Sequence, residues 1–62
     1  MFRYLREAGE RGRTDEEMRV GLQLPLPVQL ELRSGLLRDG LVRMGSIVRT
    51  GRAPQICWIA NG

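Results

Sequence analysis

What this chain lacks narrows its chemistry first. It has no histidine and a single cysteine in 62 residues. Cys57 therefore has no internal disulfide partner, and an all-protein zinc set cannot be assembled. A reducing cytoplasm suits such cysteine usage. Lysine is also missing, so all ten basic residues are arginine. Arginine favours forked contacts to phosphate, and a GC-rich genome produces the same bias with no function attached. No apolar run approaches the ~20 residues that span a bilayer, and Met1-Phe2-Arg3-Tyr4-Leu5-Arg6 lacks the apolar stretch of a signal peptide. The expectation is a cytoplasmic protein with no membrane partner.

Enzymatic chemistry finds no footing either. Gly9 and Gly12 follow a helical pattern rather than a strand, so no phosphate-binding loop of standard spacing occurs. Glu16 and Glu17 are adjacent carboxylates, but neighbours on a helix point about 100° apart and do not converge on one substrate. Cys57 has no base near it in sequence. The chain is expected to be no enzyme and to need no cofactor or metal.

The length allows one domain, residues 1–62. Ordering it costs roughly 1.5 kcal/mol per residue, or about 90 kcal/mol in all, so nearly every large apolar side chain is needed for structure. Charge is unevenly placed along this domain. Up to Asp39 there are seven arginines and seven acids; from Gly40 onward there are Arg43, Arg49 and Arg52 and no acid. The whole excess of +3 lies in the C-terminal third.

Phe2, Leu5 and Ala8, with Tyr4 beside them, predict a first helix over about 2–9 that Gly9 ends. Thr14-Asp15-Glu16-Glu17 reads as a capping box, Thr14 and Glu17 each satisfying the other's backbone amide, and opens a second helix over about 15–22. Pro25 and Pro27 make Gln23–Pro27 a turn, and Pro27 suits the first turn of a third helix over about 27–39, which Gly40 terminates. Val28, Leu32 and Leu36 share one side of it, while Glu31, Ser34 and Arg38 occupy its most polar arc. Two β-prone runs, Leu41–Arg49 and Gln55–Ala60, flank Thr50-Gly51-Arg52-Ala53-Pro54 and predict a hairpin over about 41–60. Asn61-Gly62 is expected to fray. The fold class is α+β: a three-helix winged helix-turn-helix with a C-terminal β-hairpin wing.

Several stretches carry a family likeness: Arg13-Thr14-Asp15-Glu16-Glu17, the turn Leu24-Pro25-Leu26, Arg33 followed by Leu36-Leu37-Arg38-Asp39-Gly40-Leu41-Val42, and Arg49-Thr50-Gly51-Arg52-Ala53 before Trp58. Over Arg13 to Ala60 the chain resembles the small winged-helix proteins of bacteriophages and prophages, related in architecture to MarR-like regulators. That resemblance implies binding of double-stranded DNA, with the third helix in the major groove and the hairpin reaching phosphates or the adjacent minor groove. It also implies a role in regulating phage or prophage genes. In such proteins paired arginines and small polar residues commonly line the third helix, whereas here Leu30, Glu31 and Leu32 precede Arg33.

The candidate DNA-binding residues are Gln29, Arg33, Ser34, Arg38, Arg49 and Arg52, each with a structural alternative. Gln29 and Ser34 suit base edges if they face the groove. Arg33 either contacts phosphate or packs its stem on the core while its guanidinium ties down a carboxylate or carbonyl. Arg38 either contacts DNA or complements the C-terminal end of the helix dipole. Arg49 and Arg52 either neutralise phosphates or remain solvated charges that protect a hairpin edge. One or two of Arg11, Arg13 and Arg19 would bring the phosphate contacts to roughly four to six. Trp58, inside an apolar run, fits a core anchor better than a base-stacking platform.

A second expectation competes with DNA: a host or phage protein as partner, docked on the leucines of the third helix. It gains if Leu30 and its neighbours are exposed and loses if they are buried. For assembly, a monomer or subunits placed side by side on DNA is favoured. A weak dimer through the first helix or an edge strand is the alternative.

Overall fold

A computed structural model describes all 62 residues. Helix α1 spans Phe2–Ala8 and runs into a 3-10 turn at Gly9–Arg11. Helix α2 is Asp15–Leu22, α3 is Leu26–Arg38, and strands β1 (Val42–Ile47) and β2 (Gln55–Ala60) pair antiparallel with Met44 opposite Trp58. The molecule is α+β, with three helices followed by a two-stranded sheet, an order compatible with a winged helix.

Local chemistry explains most element ends. Thr14 Oγ1 accepts from the Glu17 amide at 3.1 Å, and Glu17 Oε1 accepts from the Thr14 amide at 2.9 Å, closing the capping box that starts α2. Helix α2 outlasts Gly21 and ends when Gln23 turns left-handed at φ 54°. Pro25 caps the start of α3 without a side-chain bond, and Pro27 lies in its first turn, where a missing amide hydrogen costs nothing. At the far end Gly40 takes φ +73°, letting its amide reach Leu37 O while the Leu41 amide reaches Leu36 O. Those two bonds satisfy carbonyls that a helix end otherwise leaves orphaned.

Before α2, Arg13 makes a one-residue antiparallel bridge to Trp58, its amide donating at 3.0 Å and its carbonyl accepting at 2.8 Å. Because Trp58 gives both backbone groups to Arg13, this bridge occupies the edge of β2 opposite β1. The chain end is also fastened, contrary to the expected fraying. Asn61 donates from its backbone to Leu41 O and from its side chain to Gly40 O, and it accepts from Arg43 at 2.7 Å.

The core is small and draws on four elements: Leu5 of α1, Met18 of α2, Val42 of β1 and Trp58 of β2. Cys57 is buried with them, as expected of a structural thiol. Helix α3 adds only the half-buried Leu36 to this cluster. The predicted apolar side of α3 is corrected accordingly, since Val28 and Leu32 lie exposed. Gln29, Arg33 and Leu36, spaced four and three residues apart, form the inward face instead.

Candidate nucleic-acid interface

Helix α3 is rolled so that its polar residues meet the first turn of α2. Gln29 is fully buried, and its Nε2 donates to the Asp15 carbonyl at 2.9 Å. Its amide has no access to a ligand, which overturns the expectation that Gln29 reads a base edge. The Gln29 Oε1 atom has no hydrogen-bond partner.

Arg33 lies one turn further along the same face. Its Nη1 donates to both oxygens of the Asp15 carboxylate, at 2.5 and 2.6 Å, and its guanidinium lies 4.4 Å from the centre of the Trp58 ring. Trp58 Nε1 donates to the same carboxylate at 2.9 Å. With 18 % of its side chain exposed and its Nη1 held by the carboxylate, Arg33 takes the structural one of its two readings. Trp58 is likewise a core anchor, 8 % exposed.

Ser34 and Arg38 face solvent. The molecule's three ion pairs use Arg33, Arg49 and Arg52, so Arg38 keeps a free guanidinium in the last turn of α3. Glu31 is exposed on the same arc, and beside it lie apolar side chains: Leu26, Leu30 and Leu37 are 51 %, 37 % and 45 % exposed. Met1, Phe2, Leu32, Gly35 and Leu36 floor a groove of about 320 Å³, with Glu31 and Asp39 also lining it.

The loop between β1 and β2 brings its arginines back onto α2. Arg49 Nη2 donates to Glu17 Oε1 at 2.8 Å and to the Gly12 carbonyl at 3.3 Å. Arg52 approaches Glu16 at 3.6 Å, with both side chains more than half exposed. The hydrogen bond from Arg49 is the main influence holding the Glu17 carboxyl below its ordinary range; partial burial opposes it, and the Thr14 amide and the charges of Arg49 and Arg13 assist it. The same bond raises the Arg49 guanidinium above its ordinary value. Beside them Arg13 stacks over the Tyr4 ring, 4.9 Å from its centre. These side chains border an open cavity of about 500 Å³.

The six candidates thus divide. Ser34, Arg38 and Arg52 are exposed, Gln29 and Arg33 are turned inward, and Arg49, 20 % exposed and held by Glu17 and the Gly12 carbonyl, is nearly as covered as Arg33. The place of Glu16 and Glu17 in the capping turn explains them locally and does not announce their pairing with the loop arginines. One signal for it was available: the run of acids at 15–17 is the densest in the chain, and the last third has arginines but no acid to pair with them. Comparison with protein-family models, curated proteins and solved structures gives no match.

Proposed function

We propose that this chain is a winged-helix module that binds double-stranded DNA mainly through its phosphates, with the β1–β2 hairpin as the wing. The observation that carries the reading is the placement of an acid-free, arginine-bearing hairpin directly after α2, a proline turn and α3. Arg38, Arg49 and Arg52 supply phosphate contacts, and Ser34 is an uncharged polar α3 side chain exposed for a base edge. With Gln29 and Arg33 turned inward, α3 has little with which to discriminate sequence, so modest selectivity goes with the reading. A regulatory or architectural role on phage or prophage DNA is the setting the family resemblance suggests.

Titration of short duplexes at several salt concentrations tests this. Affinity is expected to fall steeply with salt, with a log–log slope of about −0.9 per phosphate contacted. A slope near zero, or no binding at low salt, sinks the proposal.

A second reading, a module that docks on a host or phage protein, is favoured by the exposed Leu26, Leu30 and Leu37. Capture from host lysate with and without nuclease separates the two. A partner bridged by DNA is lost on digestion, and one held by the leucines is retained.

A further inference from the structure

Two of the guanidinium groups proposed to meet DNA, those of Arg49 and Arg52, are already engaged in the free protein. Glu17 holds Arg49 at 2.8 Å and Glu16 stands 3.6 Å from Arg52. We infer that these two carboxylates are internal stand-ins for phosphodiester groups, and that the cavity bordered by Arg13, Arg49 and Arg52 is a phosphate seat which duplex DNA occupies by displacing them. This deepens the duplex-binding reading and rests on it.

Three observations point the same way. The cavity of about 500 Å³ is open and has three guanidiniums against two carboxylates on its wall, so its charge remains positive while both acids are in place. The guanidiniums are not saturated: Arg13 donates no side-chain hydrogen bond and only stacks on Tyr4, although the Nε atoms of Arg13 and Arg49 are themselves covered. A phosphate can therefore replace a carboxylate on the Nη edge without stripping the arginine of every other bond, since Arg49 also holds the Gly12 carbonyl.

The exchange leaves the strand pairing in place. Strand pairing stops at Ile47 and Gln55, and within the loop one backbone bond, from the Arg52 amide to Arg49 O, is all that spans the turn. When Glu17 swings away, the Thr14 amide loses its acceptor, while Thr14 Oγ1 still caps the Glu17 amide, so one half of the capping box continues to hold the start of α2. The exposed Arg52–Glu16 contact exchanges first and the closer Arg49–Glu17 pair second. The acids thereby weaken duplex binding by the cost of their displacement.

The test is anisotropy of a fluorescein-labelled, random-sequence duplex of about 20 base pairs, titrated at several salt concentrations. The proteins are the parent, Glu17→Gln, Glu16→Gln, Arg49→Ala, the double variant Arg49→Ala/Glu17→Gln, and Glu10→Gln, which removes an equal charge from the 3-10 turn. Glutamine at 17 retains the capping oxygen, and circular dichroism verifies that the fold is kept.

Glu17→Gln is expected to tighten binding by about fivefold while leaving the salt slope near that of the parent, because the duplex already reaches Arg49 in the parent by displacing Glu17, and Arg49→Ala is expected to make the slope shallower by about 0.9. The gain should vanish when Arg49 is alanine, and Glu10→Gln should have less than about a twofold effect. A gain that persists without Arg49, or is matched by Glu10→Gln, overturns the exchange. So does parent-level binding by both the Glu16 and Glu17 variants. Failure of every protein to bind at low salt overturns the duplex-binding reading itself. Binding by the parent with unaltered behaviour of the variants overturns the exchange alone.

Discussion

Trp58 Nε1 donates to Asp15 Oδ1 at 2.9 Å across 43 residues of sequence, and the same carboxylate holds Arg33. One side chain at the start of α2 thus fastens the sheet and α3 together. Asp15→Ala would leave a mostly buried guanidinium and an indole N–H without an acceptor. It is expected to cost about 1–3 kcal/mol, the half-exposed carboxylate keeping the figure below that of a fully buried pair. Urea unfolding followed by Trp58 fluorescence measures this. A loss under about 0.5 kcal/mol would show that the three-way contact contributes little.

Glycines at 12 and 40 give a paired prediction. At Gly12, with φ +66° and ψ −173°, an added Cβ would stand 2.7 Å from the Trp58 carbonyl and 2.9 Å from Ile59. That conformation is nearly exclusive to glycine, and the obstructing atom is backbone, so Gly12→Ala is expected to cost about 2–4 kcal/mol. At Gly40, φ is also positive but the space is open, and Gly40→Ala should cost only about 1 kcal/mol. Thermal unfolding of the two variants ranks them; equal losses would mean that crowding under Trp58 plays no part.

These contacts show what could be read from the sequence and what could not. Thr14 and Glu17, three residues apart, announce α2 because both halves of the capping box are local. Pro25, Pro27 and Gly40 bracket α3 for the same reason, and the observed Leu26–Arg38 lies within a residue of the expected 27–39. The roll of α3 is different. Its apolar spacing favours burial of Val28 and Leu32, yet Gln29 and Arg33 go inward because Asp15, 14 and 18 residues upstream, offers them a carbonyl and a carboxylate. No local pattern encodes a hydrogen-bond partner supplied by another helix. The pairing of Arg49 with Glu17 is non-local in the same way, and it decides which of the candidate cations is free.

Glu17 gives the pH dependence. Its carboxyl titrates below the ordinary value of 4.5 in the folded protein, chiefly because Arg49 donates to its charged form. The unfolded chain therefore binds the proton more readily, and the stability contributed by the pair is complete above pH 4.5 and lost as pH falls through the lower folded value. Relative to the parent, Glu17→Gln should be less stable near neutrality and should close that gap as the solution is acidified. Melting temperatures of both proteins from pH 7 to pH 2.5, in about half-unit steps, check the sign. A gap that stays constant with pH would disconnect the carboxylate charge from stability.

Arg38 and Arg33 stand five residues apart on one helix and are expected to behave oppositely. Arg38 is exposed in the last turn of α3 and in no ion pair, so its replacement by alanine removes at most the helix-dipole benefit, under about 1 kcal/mol. If it meets a phosphate, the loss should appear in binding: affinity falls for every duplex alike and the salt slope becomes shallower by about 0.9. Arg33→Ala removes the partner of Asp15 and the stacking on Trp58, so its effect should appear as lost stability, about 1–3 kcal/mol. Its duplex affinity, measured well below the midpoint of unfolding, should stay near that of the parent. Denaturation and salt-dependent titration of both variants therefore form a crossed test. If Arg33→Ala instead weakens binding while leaving stability intact, α3 must roll on DNA to release its interior guanidinium, and the inward assignment of Arg33 would hold for the free protein alone.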